Sequence, residues 1–154
     1  MSELQVVVFS LNGRLFGADA SQVLQLVKYH EVAKPSGMPE FIEGILEYQG
    51  ARLPLISLVR RFGLGETEIT KKTKILVTKI NESFAGFIVS DVTQILKFSE
   101  EDIEPTPSGM GGRVEAYVKK VCRKDGQLIL IIDLEKALND SEKKKLSSSS
   151  MAGL

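Results

Sequence analysis

Hydrophobic residues along this chain fall in short runs separated by turn residues, a pattern typical of a protein built mainly from β-strands. The run VVVFSL (6–11) is followed by Asn12-Gly13 and then by RLFGA (14–18). Asparagine and glycine both accept the positive φ that a two-residue type I′ turn requires. The chain is therefore predicted to begin with an antiparallel hairpin.

The chain contains an internal repeat. SQVLQLVKY (21–29) matches SDVTQILKF (90–98) at an offset of 69 residues, and the same offset places Gly17 on Gly86. Self-similarity of this kind indicates duplicated structural units, and chance similarity between two β patterns is the alternative explanation. We interpret the chain as two related halves.

The repeat continues downstream, where the offset grows to 76 residues. ILEYQGARLPLISL (45–58) then matches VCRKDGQLILIIDL (121–134). Each half is predicted to hold about five short strands. Each half closes with a helical turn, because Ser57 in the first half and Asp133 in the second are suitable N-cap residues.

These patterns predict a mainly β fold in which two small five-stranded β-barrel subdomains pack together, with short helices. One domain spans residues 1–140, with the first subdomain at about 4–64 and the second at about 73–139. A half of this size has a marginal core by itself, so we expect the halves to bury apolar surface between them. The tail, 141–154, is rich in lysine and serine and is predicted to be disordered.

Pro54 interrupts an otherwise strong strand pattern in the first half. Its repeat position in the second half is Leu130, within the uninterrupted run LILII. Proline cannot donate to a sheet ladder and is confined to edges, strand starts or bulges. Residues 51–56 are therefore expected at a sheet edge or bulge. Pro54 either marks a controlled docking edge or simply protects an edge from aggregation.

Composition and charge limit the classes of function. The 20 basic and 20 acidic side chains cancel, so no net field favours nucleic acid or an acidic membrane. The one cysteine, Cys122, excludes an internal disulfide and suits a reducing cytoplasm. No stretch approaches the roughly 20 apolar residues of a membrane-spanning helix, so no membrane insertion is expected.

The residues needed for catalysis are scarce. His30 is the one histidine and stands at the end of a predicted strand, where a solvated role is favoured over general-base chemistry. A single cysteine and a single histidine do not supply the usual zinc ligands. We expect no catalytic residues, no metal site and no cofactor, and the sequence favours a binding module over an enzyme.

A small β-barrel module could bind single-stranded nucleic acid or another protein. Nucleic-acid barrels use aromatic side chains interleaved with a basic groove. Here aromatic residues make up 6% of the chain and tryptophan is absent. A protein partner is therefore favoured, and nucleic acid remains the alternative.

One segment resembles a known family. PEFIEGILEYQGARLPLISLVRRFGLG (39–65) is similar to the central signature of the CheW family of chemotaxis coupling proteins. That signature has a glycine, a strand, a second glycine, a proline-bearing strand and a short helix. The matching positions are Gly44, Ile45, Gly50, Pro54 and Leu58.

The resemblance extends over about residues 4–139. SQVLQLVKYHEVAKPSGMP (21–39), GFIVSDVTQILKFSEEDIEPTP (86–107) and GQLILIIDLEKAL (126–138) are similar to further segments of the family. Gln49 departs from it, since the family has an arginine before the second glycine. Glutamine lacks the charge and the bidentate geometry of arginine, so a contact made there would differ.

The resemblance implies a fold of two SH3-like barrels and the role of a non-enzymatic adaptor in bacterial chemotaxis. It implies that the adaptor couples methyl-accepting chemoreceptors, through their cytoplasmic tips, to the regulatory domain of the chemotaxis histidine kinase CheA. We expect a cytoplasmic protein at receptor arrays that is monomeric when isolated and binds no nucleic acid.

The resemblance also guides the choice of candidate contact residues. The kinase is expected to dock on the proline-bearing hairpin of the first half, at Gly44, Leu46, Gln49, Gly50 and Pro54. Receptor tips are helical and need an apolar groove. The seam between the two halves is the expected place, lined by Val23, Leu26, Val27, Val89 and Val92.

Overall fold

The computed structural model describes residues 3–34, 36–105 and 113–151. The described chain contains eleven strands and two α-helices, joined by turns and 3₁₀ helices. The strands are β1 (Glu3–Leu11), β2 (Arg14–Asp19), β3 (Gln25–Lys28), β4 (Gly44–Tyr48), β5 (Ala51–Ser57), β6 (Lys74–Ile80), β7 (Ser83–Val89), β8 (Asp91–Ser99), β9 (Ile103–Pro105), β10 (Val118–Lys124) and β11 (Gln127–Ile132). The α-helices are α1 (Leu58–Arg61) and α2 (Asp140–Met151), and the 3₁₀ helices are Ala20–Gln22, Glu100–Asp102, Arg113–Tyr117 and Leu134–Ala137.

The strands form two curled sheets, and the predicted mainly β fold with two small barrels is confirmed. One sheet has six strands in the order β8-β1-β2-β11-β10-β9. The other has five strands in the order β3-β6-β7-β5-β4. We call the first the split barrel, because its strands come from both ends of the chain. The second is the inserted barrel, because its strands are consecutive in sequence.

The predicted subdomain boundary is wrong as a division between the sheets. The inserted barrel runs from Gln25 to Val89, so the segment at 64–73 lies inside it. β1 pairs along its length with β8 of the second half, not with β3 of the first. β3 and β8 carry similar sequences. Hydrophobic periodicity alone therefore could not show whether β1 pairs with β3 or with β8.

The internal repeat is nevertheless visible in the strand register. Gln25 pairs with Val77 in the inserted barrel, and Gln94 pairs with Val8 in the split barrel. These two pairs are related by the 69-residue offset. We therefore call two residues matched by the repeat counterparts, and the two barrels can be compared position by position.

Gly17 and Gly86 are counterparts, and at each of them core side chains pack directly against the backbone of the strand. A Cβ at Gly17 would lie 2.4 Å from Val6 Cγ1, and a Cβ at Gly86 would lie 2.7 Å from Ile75 Cγ2. Real Cβ atoms do not approach so closely, so both positions require glycine.

Three apolar clusters hold the fold together. A large one, including Phe16, Phe62 and Phe87, lies between the two barrels, as the small size of each half led us to expect. Smaller clusters fill each barrel. The split barrel buries Val6, Val8, Phe98, Cys122, Ile129 and Ile131, and the inserted barrel buries Leu46, Leu53, Leu55, Ile75, Val77 and Ile88.

The predicted helix caps are confirmed. Ser57 Oγ accepts a hydrogen bond from the N–H of Arg60 at 3.2 Å and begins α1. The helix ends at Arg61 and is followed by Gly63, whose φ of 69° is suited to glycine, while Leu64 N–H donates to the Val59 carbonyl at 2.9 Å. Asp133 caps the 3₁₀ helix Leu134–Ala137 in the equivalent place.

The tail prediction is wrong for most of its length, because residues 141–151 belong to α2. Asn139 and Glu142 cap its start reciprocally, through bonds of 2.8 and 3.0 Å. Leu146 is fully buried in the core between the barrels, and Arg61 pairs with Glu142. Composition suggested disorder, but one buried leucine and a capped first turn dock the helix. Residues 152–154 lie outside the described part of the chain.

Candidate docking surfaces

The β4–β5 hairpin ends in an exposed two-residue turn. Gln49 has a φ of 49° and Gly50 a φ of 78°, which is type I′ geometry between the paired residues Tyr48 and Ala51. Positive φ is uncommon for a residue such as glutamine, whereas aspartate adopts it more readily. Asp125 holds the counterpart position with a φ of 52°. The side chain of Gln49 is thus presented to solvent in a strained backbone position.

The outer edge of β4 is nearly bare. Its one backbone contact in the described chain is the bridge in which Ile45 N–H donates to the Ala33 carbonyl at 3.1 Å. Outward-facing groups alternate along a strand, so the N–H and C=O of Glu47 face the same side. No strand among the described residues pairs there.

The counterpart edge in the split barrel is covered. β9 pairs there with β10, in the register Lys120↔Pro105 and Cys122↔Ile103. The two barrels therefore differ at this edge: β9 supplies a short strand where the inserted barrel has a single bridge.

Pro54 lies where the ladder between β5 and β7 would otherwise begin. It pairs with Ile45 of β4, and the parallel pairing with β7 starts one residue later, at Leu55↔Gly86. In the split barrel the counterpart Leu130 does pair, with Phe16. The expectation of an edge is correct for residues 51–54, which pair with β4 alone, and wrong for Leu55, which pairs with Gly44 on one side and Gly86 on the other. Ile56 pairs with Phe87 of β7.

The predicted kinase contacts divide into surface and supporting positions. Gln49 and Gly50 are exposed at the tip of the hairpin. Leu46 is 5% exposed and Pro54 is also buried. Gly44 is buried as well, and a Cβ there would lie 2.5 Å from Val32 Cγ2. Gly44, Leu46 and Pro54 can therefore act by shaping the hairpin.

The predicted receptor contacts divide in the same way. Leu26 is 39% exposed on β3, whereas Val89 is 1% exposed in the core between the barrels. Val23 and Val92 are half-buried against that core, and Val27 packs against the inserted-barrel cluster. Val23, Val89 and Val92 are thus packing residues of the core between the barrels, whereas Leu26 faces outward.

Sequence reasoning missed two exposed apolar side chains. Leu24 is 55% exposed and directly precedes β3, so Leu24 and Leu26 share one side of the strand at a spacing of two. Ile95, the counterpart of Leu26 on β8, is 53% exposed. The alternation in LQL was the signal that could have identified the β3 pair.

A side-chain contact joins the two edge strands of the inserted barrel, and a contact in the split barrel joins β10 to the edge strand β8. In the inserted barrel the Tyr48 hydroxyl at the end of β4 donates to Gln25 Oε1 at the start of β3. In the split barrel Lys124, the counterpart of Tyr48, donates from Nζ to the Lys97 carbonyl at 3.1 Å and lies over the ring of Phe98. We call the contact between Tyr48 and Gln25 the latch.

Gln22 links the base of β3 to the split barrel. Its Nε2 donates to Asp133 Oδ1 at 2.9 Å, and its Oε1 accepts from the N–H of Leu134 at 3.1 Å. Thr78 Oγ1 donates to the Gln22 carbonyl. These bonds hold the start of β3 at the junction of the two barrels.

The titratable groups show shifts that follow from packing. Burial raises the pKa of the Cys122 thiol to about 11, and the side chain is fully enclosed in the split barrel. Burial also raises the pKa of Tyr29, with the carboxylates of Glu31 and Glu43 adding to the effect. In the described residues no three His, Cys, Asp or Glu side chains cluster as metal ligands. No described helix is long and apolar enough to span a membrane.

The described residues thus form a small β domain of two barrels, one of which has a nearly bare strand edge and an exposed hairpin. The family model for the CheW-like domain matches residues 5–142, and the chain belongs to this family. The resemblance inferred from the sequence is confirmed, and the family is one of scaffolding proteins rather than enzymes.

Individual relatives agree with this assignment. A crystal structure of a scaffolding protein CheW from Thermoanaerobacter tengcongensis is 34% identical, has a TM-score of 0.80, and aligns over 90% of both chains. The chemotaxis protein CheW of Bacillus subtilis is 26% identical, over 88% of this chain and 86% of that protein. The chemotaxis protein CheW of Treponema pallidum is 26% identical, over 95% of this chain and 88% of that protein.

Proposed function

We propose that this chain couples chemoreceptors to the chemotaxis histidine kinase as a non-enzymatic adaptor in bacterial chemotaxis. Membership of the CheW-like family and similarity to a scaffolding protein support the proposal. In this proposal the chain is monomeric when isolated, lies in the cytoplasm at receptor arrays, and binds no nucleic acid. Its partners are the regulatory domain of CheA and the cytoplasmic tips of methyl-accepting receptors.

The kinase face is the hairpin of the inserted barrel. The observation that carries this assignment is the bare outer edge of β4, which differs from the covered edge of β10. An edge strand offers its free N–H and C=O groups to an incoming strand, and such pairing gives affinity through the main chain. Glu47 supplies these groups, and a strand from the kinase domain would pair with β4 beside the bridge at Ile45.

The hairpin residues then have two roles. The exposed Gln49 and Gly50 meet the partner, Gln49 with a neutral amide. The buried Gly44, Leu46 and Pro54 hold the strand in the shape that the partner recognises. The ladder to β7 begins after Pro54, at Leu55, so the tip of the hairpin is held by the pairing of β4 with β5.

The receptor face centres on β3. Leu26 and the neighbouring Leu24 supply an exposed apolar pair on which a helix can lay its own apolar side. Val27 supports that surface from the inserted-barrel cluster. Val23, Val89 and Val92 set the packing beneath it at the junction of the barrels.

The kinase face is tested with Glu47→Pro. Proline removes the outward N–H and blocks strand addition, but it leaves the hairpin bonds to β5 intact, because those belong to Leu46 and Tyr48. The matched control is Arg123→Pro at the counterpart position. We expect Glu47→Pro to weaken binding of the kinase regulatory domain at least tenfold in a calorimetric titration, and Arg123→Pro to leave it unchanged.

Other results would contradict the proposal. Unchanged kinase affinity in a folded Glu47→Pro variant would exclude docking by strand addition at β4. A folded wild-type chain that binds neither the kinase domain nor a receptor-tip fragment would exclude the adaptor function. Binding to single-stranded nucleic acid that falls steeply with salt would favour the alternative, because phosphate contacts release counterions.

A further inference from the structure

Tyr48 and Gln25 lie where the two outer strands of the inserted barrel meet. β3 and β4 are at opposite ends of the strand order, and curling of the sheet brings them together. The Tyr48 hydroxyl then donates to Gln25 Oε1. The latch thus joins the strand of the proposed kinase face directly to the strand of the proposed receptor face.

The same two strands pack against one apolar cluster. Val27 of β3 and Tyr48 of β4 both lie against the inserted-barrel cluster, as do Tyr29 and Val32. Val27 is adjacent to Leu26, the exposed residue of the receptor face. Both strands therefore share a packing environment in addition to the latch.

The hairpin has little other support at its tip. Residues Ala51–Pro54 lack a partner on the β7 side, because the parallel ladder begins at Leu55. The position of Gln49 and Gly50 therefore depends on the pairing between β4 and β5 and on the latch. An element held this weakly is suited to respond to a neighbouring site.

We propose that Tyr48 and Gln25 are positioning residues that couple the two faces, so that receptor occupancy strengthens kinase binding. A receptor helix on Leu26 holds β3 in place, β3 holds Tyr48 through Gln25, and Tyr48 holds the hairpin in its docking geometry. This inference rests on the proposed function and adds to it a regulation of the kinase face. Coupling of this kind is reciprocal, so kinase occupancy strengthens receptor binding by the same factor.

The test compares kinase-domain affinity with and without a saturating receptor-tip fragment. In the full-length wild-type chain we expect the fragment to tighten kinase binding about fivefold or more, the lower end of measured couplings. In Tyr48→Phe and in Gln25→Met the ratio should fall to about one, because occupancy of β3 no longer reaches the hairpin. Kinase affinity without the fragment should also fall in both variants, since the latch helps to hold the hairpin in its docking geometry. Gln25→Glu keeps an acceptor for the tyrosine hydroxyl and should preserve the ratio.

A matched control separates coupling from a general loss of order. Lys124→Met removes the counterpart contact in the split barrel, which joins no proposed partner face, and should keep the wild-type ratio. A readout on the isolated chain is amide hydrogen exchange of Leu26 and Val27. Exchange should be faster in Tyr48→Phe than in wild type, and unchanged in Lys124→Met.

The possible failures are distinguishable. Wild type that binds both partners with a ratio of one, or a Tyr48→Phe variant that keeps the wild-type ratio, overturns the coupling and leaves the adaptor function intact. An equal loss of the ratio in Lys124→Met also overturns it, because the effect would not belong to the latch. Wild type that binds neither partner overturns the adaptor function and the coupling together.

Discussion

The two barrels have the same strand plan and differ at one edge. In the split barrel β10 is covered by β9, and β11 continues its ladder to β2 through Leu130. In the inserted barrel β4 has a single bridge at Ile45, and Pro54 shortens the ladder of β5 to β7. The outer strand edge is thus covered in one copy of the repeat and left mostly unpaired in the other.

This difference explains how one fold can combine rigidity with docking. An open edge risks unwanted pairing, and proteins limit that risk by short strands, charges and proline. β4 has five residues, carries Glu47 on its open side and faces a proline on β5. The edge is open to a matched partner and poorly suited to indiscriminate association.

The largest effect is expected from exchanging Leu130 and Pro54, the counterparts that begin or precede the parallel ladder in each barrel. Leu130→Pro should destabilise the fold by about 3 kcal/mol, since it removes a backbone donor from an internal strand of the split barrel. Pro54→Leu should change stability by less than about 1 kcal/mol, because the gained ladder bond offsets the added freedom of the unfolded chain. Urea unfolding of both variants measures this contrast. Equal losses would show that the ladder does not distinguish the barrels.

The second test concerns a feature that the two barrels share, the close packing at Gly17 and Gly86. Gly17→Ala and Gly86→Ala each place a Cβ against core side chains and should each cost about 1–3 kcal/mol. The losses should be similar, because the two positions are counterparts. Thermal or denaturant unfolding of the single variants decides this. A large loss at one site and none at the other would contradict the structural equivalence of the repeats.

The third test separates the exposed apolar residues of the two edge strands. Leu26→Glu should weaken receptor-tip binding about tenfold, since it replaces buried apolar contact in the complex with a desolvated charge. Ile95→Glu makes the same change at the counterpart position and should have no effect. Both residues are exposed in the free chain, so folding should be preserved. Equal weakening by both variants would move the receptor face away from β3 alone.

The smallest test concerns the two hairpin turns. Gln49→Asn should raise stability by about 0.5 kcal/mol, because asparagine adopts positive φ more readily than glutamine. Asp125→Gln should lower it by about the same amount. Denaturant midpoints are sensitive enough to show both changes. A loss of stability in Gln49→Asn would indicate that the glutamine side chain makes a stabilising contact of its own.

Most of the fold was predictable because it rests on local signals. Asn12-Gly13 fixed a hairpin through its positive φ values, and Ser57 and Asp133 began helical turns through their side-chain oxygens. The repeat was visible because both copies keep the same alternation of apolar residues. These features need no knowledge of distant parts of the chain.

The pairing between the copies was not predictable in the same way. β1 could pair with β3 or with β8, since both offer a matching apolar pattern, and the choice depends on the packing of the whole molecule. The docking of α2 depends on Leu146, which stands among lysines and serines, so composition predicted disorder instead. Strand pairing and helix docking of this kind depend on residues far apart in the chain, so a short stretch of sequence does not predict them.

The candidate surfaces were predictable at the level of segments and less so at the level of residues. The hairpin with Gln49 and Gly50 is exposed as expected, whereas Val89 is enclosed in the core. A valine in a strand gives no sign of which face it occupies until the partner strand is known. The contact between Tyr48 and Gln25 was missed for the same reason, because it forms only when the sheet curls.

The insertion of one barrel inside the other also sets the order in which the protein can be made. The hairpin β1–β2 leaves the ribosome before its neighbours β8 and β11, which begin only at Asp91 and Gln127. At 5–20 residues per second, the first of them follows Asp19 by roughly 4–14 s. The strands of the inserted barrel are synthesised in that interval. Val6 and Val8 stay exposed until the later strands of the split barrel are made. The nascent chain should therefore bind a chaperone through its first hairpin, and moving β1–β2 to the C-terminus by circular permutation should shorten that dependence.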